Sequence, residues 1–345
     1  MDYREIIKSN CESHSAVSWW PKFAFHYTDV KNAVSILSSG YLYSRTNAKK
    51  LGLMHNDNAS RQVIDMTMTE AAANVRFYFR PLTPTQYHNE GYKHPDLRYD
   101  GDVKANMPVP VFFAFDLDKL LCMPGVKFSE LAQSGYGSQL FNTVNDFAKF
   151  HFDKIYSNGY DENWRETQKY RHAEILYPGK FDISSCINTI LCRNDVERMT
   201  LLNLLKYENP TQYYRYKPII KLCRENMFEN NGLFVSQCQF HGNTVSFEFS
   251  NTYSKVKHSR NEMRKYGLTT LTPIKARLEL LWVNNKTLCY KTATETQIDY
   301  LNPKSLTFTN LPNVPHAKAI HIRFYFEEDL MCCLEQSLSD TELIK

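Results

Sequence analysis

Glu174 lies in the run Tyr170-Arg171-His172-Ala173-Glu174-Ile175-Leu176-Tyr177. Its alternation reads as a strand over 172–177, with His172 and Glu174 on one face and Ala173 and Ile175 on the other. Cleavage of a glycosidic bond needs a carboxylate beside the positive charge that develops on the sugar carbon. A lone strand Glu is more often half of a surface ion pair, and Arg171 is its neighbour in sequence, so such chemistry requires further groups from elsewhere in the chain.

Three further segments supply them. Phe25-His26-Tyr27-Thr28 ends a strand and enters a helix containing Asn32, where a His at the strand edge can donate to sugar hydroxyls and the helix N-terminus can present N–H groups to an anion. The polar run His55-Asn56-Asp57-Asn58-Ala59-Ser60-Arg61 offers a guanidinium to a phosphate. The run from Phe77 to Tyr87 breaks a strand into a two-proline turn that can hold Arg80 or Tyr87 at a site mouth with little freedom left to lose. Taken singly, each of these is more often a structural His, a solvated loop and an ordinary strand exit.

The positioning elements are legible around these runs. Asp29 as N-cap, apolar Val30, Ala33, Val34 and Leu37, and Gly40 at the C-terminal end predict an amphipathic helix between strands at Phe23–Tyr27 and Tyr41–Tyr43. Strands are predicted at Val75–Phe79 and Val109–Phe115, a short helix capped by Asp116 through Leu121, a helix over Leu140–Ile155, and another from Asp195 to about Lys206. From Leu233 onward short alternating runs end in Ala319–Phe326, and turns at His241-Gly242-Asn243 and Asn284-Asn285-Lys286 predict antiparallel hairpins. The fold class read from this pattern is α+β, with a mixed α and β domain over 1–205 and a β-rich, sandwich-like domain over 206–345.

Composition bounds the partners. A formal charge of +4 confines any basic groove to a local patch, such as Lys255, Lys257, His258, Arg260, Arg264 and Lys265, although a solvated helix face is the commoner use of such a stretch. The 22 Tyr and 21 Phe can pack a core or stack on bases. The nine cysteines contain no C-x-x-C pair and the histidines do not fall at ligand spacing beside them, so reduced thiols and no metal are expected. The opening Met1-Asp2-Tyr3-Arg4-Glu5 has no apolar h-region and no apolar run reaches the roughly 18 residues a membrane span needs, which predicts a cytoplasmic protein.

In order, H-Y-T-D at His26–Asp29, N-x-x-x-I-L-x-x-G from Asn32 to Gly40, the loop with Arg61, F-Y-F-x-P at Phe77–Pro81 followed by Thr83-Pro84 and Tyr87, and R-x-A-E-x-L from Arg171 to Leu176 resemble the DarT family of nucleic-acid ADP-ribosyltransferase toxins over about residues 20–200. The resemblance implies an ADP-ribosyltransferase-like split mixed sheet and NAD+ as co-substrate. It implies that Glu174 and Arg61 are catalytic, that His26, Thr28, Asn32, Arg61 and Tyr78 hold NAD+, and that Arg80, Tyr87 and His172 meet the acceptor base. Single-stranded DNA or RNA, a protein antitoxin and a chaperone are the implied partners, within a toxin–antitoxin or phage-defence module. Where family members carry P-R-x-P this chain has Pro81-Leu82-Thr83-Pro84, leaving Arg80 to supply the cation. The competing readings are a transferase acting on protein and a non-enzymatic module that captures nucleic acid or a partner, the latter by strand pairing along runs such as Ala319–Phe326.

Overall fold

The computed structural model describes residues 2–55, 72–99, 106–133, 138–159 and 162–338. After α1 (Tyr3–Ser13), β1 (Phe23–Asp29) runs into α2 (Val30–Ser39) and β2 (Tyr41–Tyr43). The Asp29 carboxylate accepts from Lys31 N at 3.0 Å and Gly40 closes α2 at φ 77°, a left-handed turn that a residue without Cβ adopts at no steric cost. The expected strand, helix and strand are all present. There follow α3 (Arg45–Lys50), β3 (Asn74–Tyr78), α4 (Pro84–Asn89), β4 (Pro110–Asp116), α5 (Leu117–Leu121), β5 (Lys127–Ser129), α6 (Val144–Phe147), α7 (Phe152–Ile155) and α8 (Trp164–Tyr170). Then come β6 (Glu174–Pro178), β7 (Lys180–Asp182), β8 (Ile187–Cys192), α9 (Asp195–Glu208), α10 (Pro210–Tyr216) and β9 (Ile220–Leu222).

Seven of these strands form one mixed sheet in the order β5-β6-β3-β1-β4-β8-β9, antiparallel except for β8 and β9. β4 is buried along almost its whole length, as its apolar run Val111-Phe112-Phe113-Ala114-Phe115 requires of a strand covered on both faces.

Three local expectations are corrected here. Residues 140–155 form two short helices, because Phe147, Phe150 and Phe152 converge on one aromatic cluster with centroids 5.0–6.1 Å apart, whereas a continuous helix would turn Phe147 and Phe152 to different faces. Asp116 precedes α5 without capping it, since its carboxylate is taken by Lys119 at 2.7 Å and Asn188 at 3.1 Å. The strand expected from His172 begins at Glu174, because Ala173 N still bonds Tyr170 O at 3.0 Å in the turn that ends α8.

The β-rich part adds β10 (Val235–His241), β11 (Thr244–Phe249), α11 (Tyr253–Tyr266), β12 (Ile274–Asn284), β13 (Thr287–Ile298), β14 (Leu306–Phe308), β15 (Ala319–Phe326) and β16 (Asp329–Ser337). Two sheets, β10-β11-β14 and β13-β12-β15-β16, pack face to face, with Phe247 stacked on Phe324 at 4.4 Å. β15 pairs on both sides and so offers no edge for a partner strand, which corrects the docking role considered for 319–326.

α9 joins the two parts. It packs on α2 and also on β16, where Thr200 Oγ1 accepts from Cys333 N at 3.0 Å and Asn203 donates to Cys333 O at 2.9 Å. The division expected after residue 205 thus falls inside α9, and β9 at 220–222 still belongs to the first sheet. A second seam lies at Gly232, where a Cβ would sit 2.6 Å from Glu90 O, so the two segments can cross only without a side chain. Beside it the buried Glu90 carboxylate accepts from Arg193 at 3.1 Å, Gln86 at 2.7 Å and the N–H groups of Glu229 and Asn230 at 2.9 Å.

Candidate active site

β1 pairs with β4 along its whole length and β3 pairs with β6 along its whole length, yet β1 and β3 meet at a single pair, Phe25↔Tyr78. Beyond that pair the strands part, and the gap opens into a cavity of about 230 Å³. One wall carries His26, Tyr27 and Thr28 of β1 and Asn32, Ser35 and Ser39 of α2; the other carries Asn74 and Arg76 of β3, with Tyr41 and Tyr43 of β2 and Arg45 of α3 closing the end.

His26 stands at the split. Paired with Phe113 of β4 but with no partner on the β3 side, it turns its Nδ1 to within 3.1 Å of the Arg76 carbonyl. A carbonyl only accepts, so Nδ1 carries the proton; burial lowers the pKa of the ring and keeps it neutral, which leaves Nε2 as an acceptor. His26 can therefore accept from a sugar hydroxyl, where the sequence had it donating. The anion cradle expected at the start of α2 is also corrected: Val30 N bonds Val109 O at 2.9 Å and Lys31 N bonds Asp29. Asn32 Oδ1 receives His55 N at 2.8 Å, which pins the chain after α3 over the cavity.

Glu174 is 1% exposed. Its two oxygens accept from Arg76, Nε to Oε2 at 2.8 Å and Nη2 to Oε1 at 2.5 Å, a two-point ion pair across adjacent strands. Burial works against the Arg76 charge and Glu174 more than reverses it, so the guanidinium stays protonated. Asn74, Arg76 and Tyr78 share one face of β3, and Tyr78 is the direct cross-strand neighbour of Glu174. Arg76 thus links the lips of the cleft, its main chain holding His26 and its side chain holding Glu174. Sequence reasoning missed it, although its place two residues before Tyr78 was the available signal.

The remaining candidates separate. His172 lies in the turn before β6, its pKa pulled to about 4 by burial and then by Arg76 and His88. Tyr87 lines a second groove, of about 310 Å³, with His88, Trp164, Gln168, Arg171 and Glu229. Arg80, expected to meet the acceptor, is buried in the interior: it donates to the carbonyls of Pro81, Ile155 and Ser157 at 2.6–2.9 Å and stacks on Trp20 at 4.8 Å. Two residues on, Leu82 takes a left-handed φ of 57° in the turn that leads to α4. Arg61 lies outside the described residues. Among the described residues no cluster of three or more His, Cys, Asp or Glu side chains is placed to hold a metal, and no helix is long and apolar enough to cross a membrane.

A mixed sheet split between β1 and β3, with His26 on one lip and, on the other, Arg76 holding the Glu174 carboxylate of the next strand, β6, belongs here to an NAD+-dependent ADP-ribosyltransferase. The family model described as ssDNA thymidine ADP-ribosyltransferase, DarT, matches residues 25–222, and the chain belongs to the DarT family. Among solved structures it is similar to Thermus sp. 2.9 DarT in complex with ADP-ribosylated ssDNA (16% identity, 60% of this chain and 96% of that one, TM-score 0.48). It is similar as well to the same protein in complex with NAD+ (16% identity, 60% and 98%, TM-score 0.46) and to Thermosipho africanus DarTG in complex with ADP-ribose (12% identity, 56% and 51%, TM-score 0.43). No curated protein matches the chain.

Proposed function

We propose that the chain moves ADP-ribose from NAD+, seated in the cleft between β1 and β3, onto a base of single-stranded DNA lying in the neighbouring groove. The observation that carries this reading is the Arg76 clamp, which sets the Glu174 carboxylate beside a cavity whose opposite lip is His26. Each Glu174 oxygen keeps lone pairs after its bond to Arg76. The carboxylate accepts from the ribose 2′-hydroxyl and stabilises the positive charge that forms as the C1′–N bond breaks and nicotinamide leaves with the electron pair. A base nitrogen then bonds to C1′ and gives its proton to Glu174. His26 Nε2 accepts a second ribose hydroxyl, Thr28 and Asn32 line the same wall, and Tyr78 packs beside the carboxylate. Arg61 completes the catalytic set in this reading.

Tyr87 and the half-exposed Trp164 supply the acceptor side, where an unpaired base stacks, with His172 next in the chain to the groove residue Arg171; a base inside a duplex cannot reach C1′. The family description favours thymidine as the target. We place the protein as the toxin of a toxin–antitoxin or phage-defence module restrained by a protein antitoxin.

The test is transfer of label from NAD+ into separated DNA, RNA and protein pools, with wild type beside Glu174→Gln. Label on single-stranded DNA from wild type alone is the expected result. Label confined to RNA moves the target, and label confined to protein overturns the nucleic-acid reading. Equal growth arrest on expression of wild type and Glu174→Gln would remove the toxin from this chemistry.

A further inference from the structure

Beyond residue 222, where the family match ends, α11 carries five cations, Lys255, Lys257, Arg260, Arg264 and Lys265, against Glu262 alone. The helix sorts them, correcting the view of the stretch as one patch: Lys255 and His258 are buried with Ser259 and Glu262, while Lys257, Arg260 and Arg264 recur at i, i+3 and i+7 on the opposite, exposed face. That stripe is about 10 Å long. Tyr253, 80% exposed, continues it, and among the described residues none of the three cations has an ion-pair partner.

The inner side of α11 rests on the acceptor groove. His258 packs edge-on against Tyr87 at 5.1 Å, and Lys265 lies 5.2 Å over Tyr99, which packs on His88 at 4.3 Å. Tyr87 and His88 line the groove, so α11 is its rim.

We propose that α11 is a backbone clamp for the acceptor: single-stranded DNA leaving the groove past Tyr87 and His88 crosses Lys265 and runs along Lys257, Arg260 and Arg264, which meet its phosphates. The inference rests on the reading of the groove as the acceptor site. Cations in line with exposed aromatic rings are how sequence-tolerant sites hold a single strand, the rings stacking on bases while the cations follow the backbone. A chain of net charge +4 has little general attraction for a polyanion, so a local stripe beside the groove must supply it. The clamp gives the β-rich part of the chain a role in lengthening the substrate footprint.

The full chain and a Lys257→Gln/Arg260→Gln/Arg264→Gln variant are compared by fluorescence anisotropy on labelled single strands of about 5 and about 20 nucleotides, the shorter filling the groove alone. The expected result is equal binding of the short strand and at least about tenfold weaker binding of the long one by the variant, with the log–log salt slope smaller by about 2, since each phosphate contact on a single strand contributes about 0.7. Equal affinity and slope on the long strand overturn the clamp, and loss confined to RNA of the same length overturns DNA as its occupant. Labelling of the short strand from NAD+ by both proteins keeps the groove reading even if the clamp fails, whereas no label on any nucleic acid removes both. Unchanged NAD+ affinity and thermal midpoint in the variant separate these results from misfolding.

Discussion

Arg76 and Glu174, 98 residues apart in sequence, meet through two hydrogen bonds between β3 and β6, beside the split that opens between β1 and β3. Replacing Arg76 by Gln leaves a buried carboxylate without its cation, which costs stability on the order of 3 kcal/mol and lets Glu174 leave its working position. We expect kcat for ADP-ribosyl transfer to fall by about 10²-fold, with Arg76→Lys recovering part of the loss because a single ammonium restores charge but not the two-point geometry. Steady-state kinetics on folded variants checks this, and a change in KM alone would refute the clamp.

His26 is expected to act on the sugar through Nε2. His26→Phe keeps the ring volume and removes the acceptor, so the Kd for NAD+ should rise by about tenfold, the equivalent of one lost hydrogen bond. Isothermal titration with NAD+ measures it, and unchanged affinity would place the sugar elsewhere.

Arg80 separates two roles that the sequence left joined. Its three carbonyl partners predict that Arg80→Met destabilises the fold by about 3 kcal/mol, because those carbonyls lose their donor. Protein that remains folded should keep its KM for the acceptor strand. Denaturant unfolding and acceptor kinetics measure the two effects, and a raised KM without loss of stability would return Arg80 to the substrate site.

Tyr87→Ala should weaken single-strand binding by about 1–3 kcal/mol, the worth of one stacked base, and leave NAD+ affinity unchanged. Anisotropy with a short labelled strand reads the first and titration reads the second. Loss of NAD+ binding would mean that the two pockets are one site.

Two histidines make the fold sensitive to acid. Burial, then Arg76 and His88, pulls His172 to about 4; burial, then Lys93, His88 and Lys265, pulls His258 to about 2. In the unfolded chain each takes up a proton near 6.5, so below about that pH the unfolded state binds more protons than the folded one. The stability they contribute is whole above pH 6.5 and declines as pH falls toward their folded values. Calorimetry should show Tm falling between about pH 6.5 and 4, with a shallower fall for His258→Leu. Equal pH dependence in wild type and variant would show that His258 is not the responsible group.

By itself the sequence determined what depends on a few adjacent residues. Asp29 and Gly40 set the ends of α2 because capping and a left-handed turn are local backbone requirements. Gly242-Asn243 and Asn285-Lys286 placed two hairpins for the same reason, and the ordered motifs from His26 to Leu176 carried the family. The tertiary structure decided everything that depends on which surfaces meet. Whether β1 and β3 zip or part, and so whether a cavity exists, is set by the packing of whole sheets rather than by either strand's pattern. Arg76, Arg80 and Arg171 are alike as cations in or beside strands, yet one holds the carboxylate, one is locked inside the core and one lines the groove. A side chain's composition gives its charge and reach, but its partners are fixed by neighbours tens of residues away, and that long-range packing turned Glu174 from half of an ordinary surface ion pair into a buried carboxylate held at two points by Arg76.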